Sequence, residues 1–236
     1  MLKVKICGVQ DVATVTNLLK RKVDYIGMIF AESKRKVKQA MLQECRVVVE
    51  SAQQTSTNTK FVAVFLNQPY DEIVSALEQF PFQVVQLHGQ ETIGDCKKLK
   101  RQFPHLKIIK TLSVPVSVID ETMLIQDLQR SISYYRQVVE GFLLDTKVGS
   151  QHGGTGISFP WDIVKPIFNN PFRNYQLGIA GGLSAANIDQ LLSVISPDFV
   201  DINSGVETDG RKDIKKTNQL LNLLEASHNE PCRTIS

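Results

Sequence analysis

Short apolar runs alternate with helix-length amphipathic stretches along the whole chain. The first run is Lys3–Cys7. Strand side chains alternate between faces, so Val4 and Ile6 fall on one side and Lys5 and Cys7 on the other. Asp11 stands where a helix N-cap would, followed by the stripe Val12, Val15, Leu18 and Leu19. Tyr25–Phe30 predicts a second strand with a basic exit, Ala31-Glu32-Ser33-Lys34-Arg35-Lys36, then a helix through Met41, Leu42, Cys45 and Val48. Polar Ser51–Thr59 reads as a flexible loop. Strands follow at Lys60–Leu66 and Phe82–Leu87, with helices at Tyr70–Gln79 and Glu91–Phe103, the latter closed by Pro104. Leu106–Leu112 is a fifth strand, Val116–Gln137 a loop with one helix, and Glu140–Asp145 a sixth strand. A long loop, Thr146–Gly156, precedes a short helix at Trp161–Phe168. The last units are strand Tyr175–Ala180, helix Ser184–Val194 with Ser184 as its cap, strand Phe199–Asn203 and helix Lys212–Ala226.

Eight strands alternating with eight helices predict a parallel sheet, and at 236 residues a closed α/β fold, the (β/α)8 or TIM barrel. A doubly wound open sheet is the alternative. One domain over residues 1–226 is expected, with 227–236 as a frayed tail. Composition leaves this picture intact: 42% hydrophobic, 22% charged, net charge +3. So mild a positive balance argues against a nucleic-acid surface and allows weak attraction of anions. No apolar h-region and no run of membrane-spanning length stand out, so a cytoplasmic protein is expected, as monomer or homodimer. Cys7, Cys45, Cys96 and Cys232 are scattered, which predicts free thiols. Neither they nor the four histidines have metal-ligand spacing, so no metal is expected.

In such a barrel the chemistry lies at the C-terminal ends of the strands. The chain places Cys7, Arg35, His88, Asp145, Gly181-Gly182 and Ser204-Gly205 there. Parity pairs Gln86 with His88 on one face, and Asp201 with Asn203. It also turns Lys5 and Asp201 inward on neighbouring strands, either to close the barrel or to poise Cys7. The glycine-bearing loops after strands seven and eight suit a phosphate, because backbone amides can approach an anion there. Cys7 and Asp145 form a candidate base and acid. Taken alone, Cys7 also reads as a small buried hydrophobe, and Asp145 as a cap. Lysine nearby would raise the thiolate fraction of Cys7. Arg35 reads as a solvated charge or a bidentate anion ligand, and His88 as a ligand contact or a loop fastener. Thr146–Gly156 reads as a lid or a plain surface loop.

Together these residues resemble the phosphoribosylanthranilate isomerase family. The matching pieces are Lys5-Ile6-Cys7-Gly8, Ser33-Lys34-Arg35, Val85-Gln86-Leu87-His88-Gly89, Leu144-Asp145-Thr146, and Gly153-Gly154-Thr155-Gly156 with Trp161. Further on come Ala180-Gly181-Gly182-Leu183 with Asn187, and Asp201-Ile202-Asn203-Ser204-Gly205-Val206-Glu207 with Gly210 and Lys212-Asp213. They run in family order over nearly the whole chain. The resemblance implies a cofactor-free Amadori rearrangement of a phosphorylated small molecule in tryptophan biosynthesis. Asp145 would be the general acid and Cys7 the general base. Arg35, Gln86, His88 and Asp201 would contact substrate, and Gly154, Gly156, Gly181, Gly182, Ser204 and Gly205 would surround the phosphate. Phe159-Pro160-Trp161 departs from the family pattern away from these positions. A related aldose–ketose isomerase would carry a second aspartate in place of Cys7. A non-catalytic sugar-phosphate binder would have lost Cys7 or Asp145.

Overall fold

The computed structural model describes residues 2–53, 58–148, 151–152 and 158–229. The first strand, β1 (Lys3–Ile6), hydrogen-bonds to β2 (Tyr25–Ile29) on one side and to β8 (Phe199–Ile202) on the other. Around the ring follow β3 (Lys60–Phe65), β4 (Val84–Leu87), β5 (Lys107–Pro115), β6 (Gly141–Val148) and β7 (Gln176–Ile179). Every neighbouring pair in this ring is parallel, and β5–β6 pairing completes it. The chain is thus a closed eight-stranded barrel, not a doubly wound sheet.

Alternation along each strand sorts the apolar residues into two cores. The outward set packs under the helices, with Ile6, Ile26, Met28, Phe61, Val85 and Ile202 among its buried members. The inward set is smaller: Tyr25, Val62, Val64, Val84, Ile109, Leu143 and Phe199 fill the barrel below Cys7 and Ala180. Gly178 leaves the Phe199 ring its space, since a Cβ there would lie 2.2 Å from it. Above this packed floor, the upper end of the barrel, where the strands terminate, is left to polar residues.

Three of the helices start on side chains with a spare acceptor, Asp11, Thr92 and Asp120. Asp11 caps α1 (Val12–Lys20), its Oδ1 accepting the Thr14 N–H at 2.7 Å. α2 (Gln39–Gln53) and α3 (Tyr70–Gln79) follow. Thr92 and Asp95 form a reciprocal capping box on α4 (Ile93–Gln102). Asp120 caps α5 (Glu121–Tyr135). A 3-10 turn at Trp161–Val164 leads into α6 (Lys165–Phe168), where Pro166 occupies the first turn. α7 (Ile188–Val194) and α8 (Ile214–Asn229) complete the set.

Several boundaries differ from the sequence expectation. Ser51–Gln53 continue α2, so the polar loop expected over Ser51–Thr59 begins later; residues 54–57 lie outside the described residues. β5 runs past Leu112 because Ser113, Val114 and Pro115 pair with Asp145, Thr146 and Lys147. α7 starts after Asn187, not on Ser184: the intervening turn uses the Asn187 side chain to accept the Ser184 N–H at 2.9 Å. Lys212 belongs to a two-stranded ribbon, Glu207–Thr208 against Arg211–Lys212, so α8 begins later than expected and extends to Asn229. Residues 230–236 of the expected tail lie outside the described residues.

Candidate active site

One pocket opens at the upper end of the barrel. Cys7, Arg35, Gln86, His88, Asp145, Asp201, Gly181, Gly182 and Ser204 all line it. Gly205 does not; it packs against the preceding loop, where an added Cβ would sit 1.9 Å from the Leu183 carbonyl oxygen. Gly154 and Gly156 lie outside the described residues, as do residues 149–150 and 153–157 of the expected lid.

The pocket floor is an ion pair. Lys5, fully buried, donates to Asp201 Oδ2 at 2.6 Å, across the β1–β8 register that sets these residues side by side. Asp201 Oδ1 is buried without a hydrogen-bond partner, as is Gln86 Oε1. Burial works to lower the Lys5 pKa, but the Asp201 carboxylate and the Cys7 thiol hold it above its ordinary value. Lys5 precedes Cys7 by two residues on the same inward face.

Cys7 lies directly against β2. A Cβ on Gly27 would stand 2.8 Å from its Sγ, so the glycine makes room for the thiol. Burial pushes the Cys7 thiol up, while the charges of Lys5 and Lys212 draw it down. Lys5 acts in the direction the sequence suggested, but desolvation is the larger influence. Gly8, at φ 72°, turns the chain away immediately afterwards.

Asp145 shares the inward parity of Leu143 on β6, which runs on to Val148 beyond the expected end at Asp145. Burial and the neighbouring Asp201 charge push its pKa up to about 7, against the pull of the Thr146 amide and of Lys5. Its Oδ1 accepts that amide at 2.8 Å, and its Oδ2 lies 3.4 Å from His88 Nε2. His88 Nδ1 faces Gln86 Nε2 at 3.3 Å, and Gln86 also donates to Thr111 Oγ1 at 3.3 Å. A carboxyl that titrates near neutrality can hold a proton to donate.

Arg35 reaches the pocket because its loop folds back. Ile29 bridges to Lys36, and Val37 N–H donates to the Ile29 carbonyl at 2.7 Å. The Arg35 guanidinium is not solvated: Nε and Nη2 donate to the two oxygens of Glu207, both at 2.8 Å. Lys212 Nζ donates to Glu207 Oε1 at 2.6 Å and to Asn203 Oδ1 at 2.7 Å. Burial pushes Glu207 up, yet the hydrogen bonds from Arg35 and Lys212 hold it below the ordinary carboxylate range. Sequence reading gave Glu207 and Lys212 no role. Strand alternation ends at Asn203, and the 3-10 turn Ser204–Val206 with its ribbon breaks the two-residue period that would have pointed to them.

The loops after β7 and β8 touch. Gly181 has φ 96°, and a Cβ there would meet Thr146 Oγ1 at 1.8 Å. The carbonyls of Gly181 and Gly182 are engaged by Ser158 Oγ at 3.0 Å and Asn187 Nδ2 at 2.9 Å. Beneath and beside the pocket, Lys5 pairs with Asp201, and Arg35 and Lys212 share Glu207. Among the described residues no group of three or more His, Cys, Asp or Glu is arranged to hold a metal ion, and no helix is long and apolar enough to cross a membrane.

A family model described as N-(5'phosphoribosyl)anthranilate (PRA) isomerase matches residues 4–222. The N-(5'-phosphoribosyl)anthranilate isomerase of Brevibacillus brevis is 34% identical over 226 residues, 96% of this chain and 95% of that one. The enzyme of the same name from Petrotoga mobilis is 34% identical over 229 residues, covering 96% and 98%. Among solved structures, the dimeric phosphoribosylanthranilate isomerase of Thermotoga maritima, crystallised as monomers, is 27% identical with a TM-score of 0.74, covering 96% of this chain and all of that one. Another, in complex with reduced 1-(o-carboxyphenylamino)-1-deoxyribulose 5-phosphate, is 26% identical with a TM-score of 0.73 and the same coverage.

Proposed function

The chain belongs to the N-(5'-phosphoribosyl)anthranilate isomerase family, and from that premise we propose that Asp145 and Cys7 are the acid and base of its reaction. Its activity is the isomerisation of N-(5'-phosphoribosyl)anthranilate in tryptophan biosynthesis. The observation that carries the assignment is Asp145 itself, a buried carboxyl lining the same pocket as Cys7, with its Oδ2 3.4 Å from His88 Nε2.

Protonated Asp145 gives its proton to the ribose ring oxygen, the C1–O bond breaks, and the anilino nitrogen's lone pair forms a Schiff base. Cys7, as thiolate, takes the proton from C2, and the electrons move to the nitrogen to leave an enolamine. Tautomerisation places a proton on C1 and releases one from the C2 hydroxyl, giving the ketone. Exchange with solvent returns the proton from Cys7 to Asp145, so atoms and charge balance. No oxidant or reductant is consumed, because the carbonyl gained at C2 balances the reduction at C1.

Arg35 binds the anthranilate carboxylate, held for that task by Glu207 behind it. With the Gly181 and Gly182 carbonyls already engaged, a phosphate beside Ser204 meets peptide N–H groups rather than oxygens. Gln86 Oε1 and Asp201 Oδ1, buried and unpartnered, accept from substrate hydroxyls or nitrogen. The same reading puts the enzyme in the cytoplasm as a monomer or homodimer; the Thermotoga maritima relative is dimeric.

Turnover of freshly prepared phosphoribosylanthranilate, followed by anthranilate fluorescence, tests the assignment. Cys7→Ser and Asp145→Asn should each lose about 10²–10⁴-fold in kcat while folding normally, as general acid–base groups do. A folded Asp145→Asn variant with wild-type turnover would remove Asp145 from the role.

A further inference from the structure

Behind the tip of β4 lies a further buried ion pair that this chemistry does not use. Lys110, on the outward face of β5, is 3% exposed, and Glu91, at the approach to α4, is 6% exposed. Lys110 Nζ lies 3.2 Å from Glu91 Oε2. It also donates to the carbonyls of Leu87 at 3.1 Å and Gly89 at 2.6 Å. Those two residues flank His88. Glu91 grips the same segment from its amide side. Its Oε2 accepts the Gly89 N–H at 2.9 Å, and its Oε1 accepts the Asn67 N–H at 2.9 Å. Asn67, at φ 59°, in turn accepts the Gln90 N–H on its Oδ1 at 2.6 Å. Gly89 is pressed so close that a Cβ would meet Asn67 Oδ1 at 2.1 Å. Tyr135 of α5 closes the cluster, its hydroxyl donating to the Glu91 carbonyl at 3.0 Å.

Two desolvated charges are a poor way to fasten a turn, because a buried ion pair often gains no stability over apolar packing. This one is distinguished by what it holds. The peptide units on both sides of His88 are fixed by charged partners, and the His88 N–H itself donates to the Phe65 carbonyl at 2.8 Å. The imidazole of the residue so fixed lies 3.4 Å from Asp145 Oδ2, at the mouth of the pocket. We propose that Glu91 and Lys110 are positioning residues for the isomerisation, locking the backbone around His88 so that its imidazole is held against Asp145. This rests on Asp145 being the acid. Glu91 and Lys110 themselves touch neither substrate nor reacting atoms.

A double-mutant cycle through His88 tests it. We would measure kcat and KM for Lys110→Met and Glu91→Gln in the wild-type and in the His88→Ala background. Misplacing a group by about 1 Å costs about 10²-fold, so each variant should lose about ten- to a hundred-fold in kcat with KM little changed. In the His88→Ala background the same changes should cost less than about twofold, because contacts acting through one residue are not additive. Equal losses in both backgrounds would mean that the pair only stabilises the barrel, and would overturn the proposal. Lys110→Arg, which keeps a cation in place, should restore most of the lost kcat. If Lys110→Met does not fold, near-isosteric Glu91→Gln carries the cycle alone. A readout independent of turnover is the imidazole nitrogen resonances of His88, identified by their loss in His88→Ala. They should shift in Glu91→Gln, and unchanged resonances would sink the idea. Wild type without isomerase turnover would instead defeat the acid–base assignment, with the resonance comparison still judging the clamp.

Discussion

At the scale of single residues, the acid and the base are tuned in the same direction by burial, but to opposite ends. Burial raises Asp145 to about 7, where a carboxylic acid keeps its proton long enough to give it away. Burial also raises Cys7, which reduces the thiolate the reaction needs. The reactive pair, protonated Asp145 with ionised Cys7, is therefore the minor form of the two singly protonated states. That has a definite consequence for pH. Below about pH 7 both groups hold protons, and the reactive form grows tenfold per unit as pH rises. Above about 7 Asp145 begins to ionise as Cys7 continues to, the two trends cancel, and the profile is level. It falls only where Cys7 titrates. We expect log(kcat/KM) to rise to a bend at about pH 7, run flat, and descend with the midpoint at which Cys7 becomes alkylated by iodoacetamide. The two bends belong to the coupled pair rather than to either group alone. Peptide mapping isolates the Cys7 signal. Cys45 and Cys96 are pushed up to about 12 and about 11 and should stay silent over this range. A Cys7 alkylation midpoint below the lower bend would show normal rather than reversed protonation and would end this account.

At the scale of elements, the phosphate end depends on two loops fitting together. Gly205 stands so near the Leu183 carbonyl that Gly205→Ala must separate the loop after β8 from the loop after β7. The acid on β6 and the base just after β1 lie outside that contact. We expect KM for substrate, and the inhibition constant of inorganic phosphate, to rise by at least about tenfold, ~1.4 kcal/mol, with kcat changed less. Unchanged phosphate inhibition would separate Gly205 from phosphate binding. Elements are also where the sequence was most and least readable. Strand alternation placed Lys5 beside Asp201 and Gln86 beside His88, because a period of two survives wherever one face is buried. It did not reveal Glu207 behind Arg35, since the chain leaves strand geometry at Ser204 and no period connects the two residues. Nor did it reveal Lys110, whose outward parity marks it for the helix layer, where a cation is unexpected. The length of β5 was hidden as well: its last residues are strand because β6 pairs with them, not because their own pattern is apolar.

At the scale of the whole molecule, the first and last strands meet through Lys5 and Asp201, so the ion pair that floors the pocket also closes the barrel. Closure and catalysis make different demands on it. Apolar or neutral residues could close a barrel as well, since desolvating two charges offsets most of their attraction. For the chemistry the charges themselves matter: Asp201 raises Asp145, and Lys5 draws Cys7 down. Lys5→Met alone leaves a buried carboxylate without its counter-ion and should cost about 3–5 kcal/mol in urea unfolding. Lys5→Met combined with Asp201→Asn removes that charge and should regain most of the stability. Turnover should not return with it, because the acid would ionise too early and the thiol too late. If both stability and turnover recover in the double variant, the pair is closure alone. If stability recovers and turnover stays low, the two ends of the chain are joined by charges because the pocket above them requires charges there.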